Sequence, residues 1–245
     1  MRKLDFSLEM YEDICKALKS KNVVTVQCYL SDVPEPPYIV LRHDVDRSPE
    51  NALAMALLEH EYGIRSSYYF RYPDTFDLIV MKQIYSLGHE IGYHYEVLDK
   101  AKGDCHKAID LFQKELEVFR RSFSVNTICM HGNPLTKWDG RDIWSIYDFR
   151  EYGILGEAFL SCGDTAVYLT DTGRNWNGAN NFKDRLHEGD ENKSFRSTAD
   201  VIRFINSDNF VGIYLNCHPE RWDPVCGAGS KLLQEIMYLI YVKKQ

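Results

Sequence analysis

Short apolar runs alternate along this chain with helical patterns of about 10–15 residues, and several of the runs end on Asp or His. That alternation implies repeated strand–helix units around a mostly parallel sheet. It also sends the residue that closes each run to the carboxyl edge of the sheet, where enzymes of this architecture keep their chemistry. The run Tyr38-Ile39-Val40-Leu41-Arg42-His43-Asp44-Val45-Asp46 carries two acids at its end. Side chains alternate along a strand, so Asp44 and Asp46 share one side while His43 and Val45 point away. Ser48 and Pro49 then read as cap and first residue of a helix.

The same reading predicts a first helix capped by Ser7 and running to Leu18, then a strand over Val23–Tyr29. Later strands are expected at Ile64–Phe70, Ile91–His94, Thr127–Met130, Ile154–Phe159, Val167–Leu169 and Phe210–Asn216. Helices are expected near Asp74–Leu87, Cys105–Arg121, Ser197–Asn206 and from Lys231 onward. With 245 residues and no internal repeat, residues 1–245 are expected to form one α/β domain with a sizeable core.

A net charge of -7 with no Lys/Arg block argues against a nucleic-acid partner, because backbone recognition is cationic. The start, Met1-Arg2-Lys3-Leu4-Asp5-Phe6, is followed by no apolar stretch, so no signal peptide is expected. No run approaches the roughly 20 apolar residues of a membrane helix. The seven cysteines include Cys226, are odd in number and lack a CxxC pair; reduced thiols and a cytoplasmic location are expected.

The strand ends carry the chemistry. Two imidazoles and a carboxylate, His94, His131 and Asp46, suit one divalent ion, zinc foremost, with Co, Ni, Mn or Fe as alternatives. Asp44 beside such an ion is placed to take a proton from water, and His218 to donate one to a leaving group. His60, His106 and His187 read as structural; His89 and Glu96 are the alternative ligands.

Three segments, Leu41-Arg42-His43-Asp44-Val45-Asp46, Gly88-His89-Glu90-Ile91-Gly92-Tyr93-His94 and Tyr214-Leu215-Asn216-Cys217-His218-Pro219, resemble motifs of the polysaccharide deacetylases in their family order. This is the NodB-homology or carbohydrate esterase 4 family, and the likeness is greatest to a WbmS-like branch associated with bacterial surface polysaccharides such as lipopolysaccharide. The resemblance implies a distorted (β/α)7 barrel and metal-dependent removal of acetyl groups from sugars. It implies Asp44 as base, Asp46 and His94 as ligands and His218 as acid. Val45 separates acids that are adjacent in the family, and Leu98 stands where the family has its second histidine; His131 is expected to take that place.

Asp171, Arg174 and Trp176 fall in one Gly-containing loop and, with Glu96 and Trp222, are expected to handle substrate. Trp176 or Trp222 would stack on a sugar face, and Arg174 would pair with Asp44 or bind an anionic group. The expected substrate is an amino sugar, soluble as a nucleotide-linked precursor or lipid-linked at the membrane surface. Two rivals stand beside it: hydrolysis of another amide, formyl or imide group, and a sugar-binding protein with a relict site.

Overall fold

A computed structural model describes residues 4–162, 166–178, 183–184, 194–224 and 231–242. Cys226 and His187 lie outside the described residues. Helix α1 (Leu8–Leu18) begins where Ser7 Oγ accepts the Met10 amide, as the Ser7 cap predicts. The expected strand over Val23–Tyr29 divides: β1 is Asn22–Val24, and Thr25 Oγ1 takes the Cys28 amide to start α2 (Val26–Ser31). A hydroxyl that caps locally here outweighs the β-branched composition of the run.

Strand β2 (Tyr38–Val45) leads into α3 (Pro49–Glu61). Pro49 sits in the first turn as expected, but Ser48 is left-handed at φ +52° and makes no side-chain cap bond. Next come β3 (Ser67–Phe70), α4 (Leu78–Ser86, capped by Asp77), β4 (Glu90–Tyr95), α5 (Val97–Lys100), α6 (Cys105–Arg120, capped by Asp104) and β5 (Thr127–Met130). Two 3-10 turns, Gly140–Ser145 and Phe149–Tyr152, precede β6 (Gly156–Glu157). Then β7 (Ala166–Thr170), α7 (Thr198–Ser207, capped by Ser197), β8 (Gly212–Cys217) and α8 (Lys231–Met237) follow.

Every described strand pairing is parallel, in the order β6-β5-β4-β3-β2-β8-β7, with β1 beside the first half of β2. All carboxyl ends therefore share one edge. The sheet curls: β6 stands five places from β8, yet Tyr214 of β8 donates its hydroxyl to Ala158 O at 3.1 Å. Arg42 of β2 likewise lies 4.2 Å from the Phe159 ring centre. This is a mixed α/β half-barrel with a filled interior. Gly92 is required there, because a Cβ at that position would sit 2.3 Å from Tyr69 Cε1.

Strands β2 to β6 and β8 are buried on both faces, as parallel sheets are, and all eight residues of β2 are buried. Behind β2, away from the curl, Glu59 of α3 pairs with His43 Nε2 at 2.7 Å. It also accepts from Ser66 Oγ (2.5 Å), Tyr68 OH (3.0 Å) and Tyr11 OH. Burial works to raise the Glu59 pKa, but His43, His89 and the Ser66 hydroxyl hold it down to about 2. The cluster pins the strand that carries Asp44. Among the described residues, no helix is long and apolar enough to cross a membrane.

Candidate functional site

Asp46 follows β2, His94 lies on β4 and His131 follows β5, and their side chains converge. Asp46 Oδ1 lies 3.2 Å from His94 Nε2 and 2.9 Å from His131 Nδ1. His94 Nδ1 is 3.0 Å from the Cys129 carbonyl, which only accepts, so Nδ1 carries the proton and Nε2 is turned to the site. The His131 amide bonds Tyr95 O at 2.8 Å, and Arg71 Nη1 bonds the Asp46 carbonyl at 3.2 Å, fixing both backbones.

These residues fit a divalent ion. Asp46 Oδ1 is buried, and neither neighbouring imidazole makes a well-directed hydrogen bond to it. Ligand atoms around a tetrahedral ion with bonds of about 2.0–2.1 Å stand roughly 3.3 Å apart. The separations at Asp46 are close to that spacing. A second group, Asp44, His94 and Cys129, also brings three donors within 4.8 Å of one another. It shares His94 with the first, so the two are alternatives. Arg42 Nη1 is 3.0 Å from Cys129 Sγ and Arg42 Nη2 is 3.3 Å from Asp44 Oδ2, which sets a fixed cation against any ion there. The Asp46 group is the better site.

Asp44 is buried at 3 % exposure, and its Oδ2 accepts from Asn216 Nδ2 at 3.0 Å. Its cationic partner is Arg42. The expected Arg174–Asp44 pair does not form; Arg174 instead binds Asp223 at 3.2 and 2.5 Å. Arg42 is fully buried, donates to Tyr168 OH at 3.0 Å and lies 3.5 Å from Asp184. Burial opposes its charge, yet Asp44 keeps its pKa well above the usual value.

His218 follows β8 and is gripped by Asp171, which follows β7. Asp171 Oδ1 lies 2.6 Å from His218 Nδ1, and the same carboxylate accepts the His218 amide at 3.1 and 3.0 Å. Trp222 Nε1 bonds Asp171 Oδ2 at 2.7 Å, and Arg221 Nη1 bonds the Asp171 carbonyl at 2.9 Å. Burial and Arg221 lower the His218 pKa, but Asp171 outweighs them and lifts it to about 9. With Nδ1 occupied, Nε2 is the nitrogen available to a ligand. Glu220 beside it is pushed up to about 7 by burial and the Asp46 charge, against the pull of His218.

Asp44, Asp46, His94, His131 and His218 all line one cleft of about 420 Å³. The five residues expected to handle substrate do not. Asp171 acts behind His218, and Glu96 pairs with Arg71 at 2.8 Å. Trp176 is buried against Phe6 with centroids 5.8 Å apart, and its Nε1 donates to Thr198 Oγ1 at 2.9 Å. Trp222 is fully buried in the same aromatic group. Both indoles are core, because the loop that carries Trp176 folds back onto the chain start. His89 lies behind the sheet, 3.1 Å from Ala56 O, and is no alternative ligand.

The wall of the cleft includes Arg47, Asn133, Phe159, Lys183 and Asp184, which the motif reading did not single out. Two further partners were open to it: Arg42 and Asn216 stand two positions before Asp44 and His218, on the same strand faces. No family model matches this chain, and no curated protein or solved structure matches it.

Proposed function

We propose that the protein is a metal-dependent hydrolase that removes an N-acyl group, most simply acetyl, from an amino sugar. The observation that carries this reading is one cleft lined by an Asp46–His94–His131 ligand set, the Asp44 carboxylate and the Asp171-held His218. It agrees with the deacetylase motifs, and the curled parallel sheet is compatible with the distorted (β/α)7 barrel they imply.

Asp46, His94 and His131 would hold the ion, zinc foremost. Bound there, a divalent ion would supply Lewis-acid chemistry, polarising an acyl oxygen and lowering the pKa of water. Asp44, oriented by Asn216 and Arg42, accepts the proton of the attacking water. His218 is protonated at neutral pH, and Asp171 aims its ring so that Nε2 gives a proton to the departing amine. The general-base role thus falls to a carboxylate oriented by Asn216 and Arg42, and the general-acid role to an imidazole held by Asp171, the division of labour that amide cleavage needs.

The third ligand comes from the end of β5 rather than from β4, which favours one rival, a related hydrolase of another amide, formyl or imide group. Acetate or other acyl release from a panel of N-acyl sugars, by zinc- or cobalt-loaded protein, tests the reading. Turnover lost in Asp44→Asn and His218→Ala supports it. Bound metal with no turnover across the panel would replace it with a sugar-binding role, and turnover only of non-sugar amides with the rival.

A further inference from the structure

The charges around the cleft are unevenly answered. Asp44 and Asp184 share the buried Arg42 at 3.3 and 3.5 Å, and Asp46 faces His94 and His131. Arg71 is matched by Asp74 and Glu96 at 2.7 and 2.8 Å, and Arg221 lies 3.7 Å from both Asp171 and Glu220. Two cations remain. Among the described residues, Arg47 makes no ion pair and is exposed at the cleft. Lys183, among the described residues, donates to neutral oxygens, Trp138 O at 2.7 Å and Thr136 O and Oγ1 at 2.9 and 3.4 Å.

Lys183 is therefore fixed at the wall by neutral oxygens, with Asp139 as a more distant counter-charge, while Arg47, among the described residues, keeps its guanidinium donors free for a ligand. In a chain of net charge -7, two such cations at one mouth make it a favourable place for an anionic group. A neutral sugar needs neither charge. From this we infer that the substrate carries a phosphate ester, bound by Arg47 in the positive field of Lys183, while its acyl group reaches Asp46, His94 and His131.

The inference rests on the acyl-sugar reading and deepens it from amino sugar to phosphorylated amino sugar. Arginine matches phosphate oxygens two at a time, whereas a lysine tied to carbonyls acts as a point charge. Arg47 then sets affinity and orientation, and Lys183 adds long-range attraction that salt screens.

The test is titration calorimetry on zinc-loaded Asp44→Asn protein, in which turnover does not contribute heat. The probes are N-acetylglucosamine, its 1-phosphate, its uridine diphosphate ester and a polyprenyl-phosphate-linked form in detergent micelles. The phosphorylated probes are expected to bind at least about tenfold tighter than the neutral sugar, an advantage that shrinks with salt. That advantage should vanish in Arg47→Ala, fall in Lys183→Met and survive only in part in Arg47→Lys, which keeps the charge but not the two-point match. The tighter of the nucleotide and lipid probes identifies the source of the phosphate.

Equal affinity for neutral and phosphorylated sugars would overturn the inference, as would a difference that survives Arg47→Ala. In that case acyl release from neutral sugars by the wild-type protein leaves the hydrolase reading standing. Arg47-dependent phosphate binding without acyl release from any probe would keep the anion site and end the hydrolase reading.

Discussion

Asp171 holds His218 twice, through the ring at 2.6 Å and through the backbone amide at 3.1 and 3.0 Å. The contact joins the ends of neighbouring strands β7 and β8 and selects which nitrogen faces the cleft. It also decides the charge of the imidazole, since Asp171 overcomes both burial and Arg221. Asp171→Asn should therefore bring the His218 pKa down from about 9 toward the ordinary histidine value of 6.5. Turnover should fall by roughly 10²–10⁴-fold, the usual weight of a positioned general acid. NMR titration of the His218 ring checks the first effect and acyl-release kinetics the second. An unchanged ring pKa would remove Asp171 from this role.

A related expectation concerns pH. The folded pKa of His218 is raised, so its ion pair contributes fully below the unfolded value of 6.5 and is lost as pH rises through about 9. The gap corresponds to about 3 kcal/mol of stability. Denaturant unfolding at pH 6 and pH 10 should show a drop of that order in wild type and little of it in Asp171→Asn. Turnover should fall over the same alkaline limb, because the proton donor is then lost.

Metal content separates the two overlapping ligand groups. His131→Ala and Asp46→Asn should lose most of the ion, while Cys129→Ser retains it, as measured by elemental analysis of protein prepared without chelator. Retention in His131→Ala together with loss in Cys129→Ser would move the ion to the Asp44–His94–Cys129 group. In the metal-free protein Asp44 and Asp46 raise the His94 pKa despite burial. A metal ion competes with the proton for Nε2, so affinity should weaken as the medium is acidified.

How much of this is readable from the chain alone depends on the range of the interaction involved. Asp44, Asp46, His94, His131 and His218 stand at the ends of apolar runs, and a parallel sheet sends such ends to one edge whatever its strand order. Asp171 is different. Its turn is visible in the sequence, but its partner is not until β7 is known to lie beside β8. Trp176 and Trp222 invite a sugar-stacking role by residue type, yet packing against Phe6 buries both. Thr25 splits an expected strand because its hydroxyl caps a helix whose side chains would equally suit a sheet.

Arg42 links the interior of the half-barrel to the site above it, and its removal gives the last prediction. The guanidinium is fully buried under Phe159, touches Tyr168 and Cys129, and lies 3.3 Å from Asp44 and 3.5 Å from Asp184. Arg42→Met keeps much of the apolar volume but leaves two carboxylates without their shared cation. Breaking a buried pair by removing one partner costs roughly 3–5 kcal/mol, well above the loss of an exposed pair. Asp184 retains Thr170 Oγ1 at 2.6 Å, with Thr172 and Tyr168, while Asp44 keeps Asn216, so the loss should fall toward the lower end of that range. Adding Asp184→Asn to Arg42→Met removes one of the stranded charges and should restore part of the stability. Denaturant unfolding of both single variants and the double variant measures this coupling directly. Additive losses would mean that Arg42 and Asp184 do not act as a pair, and that Arg42 serves chiefly to fill the interior.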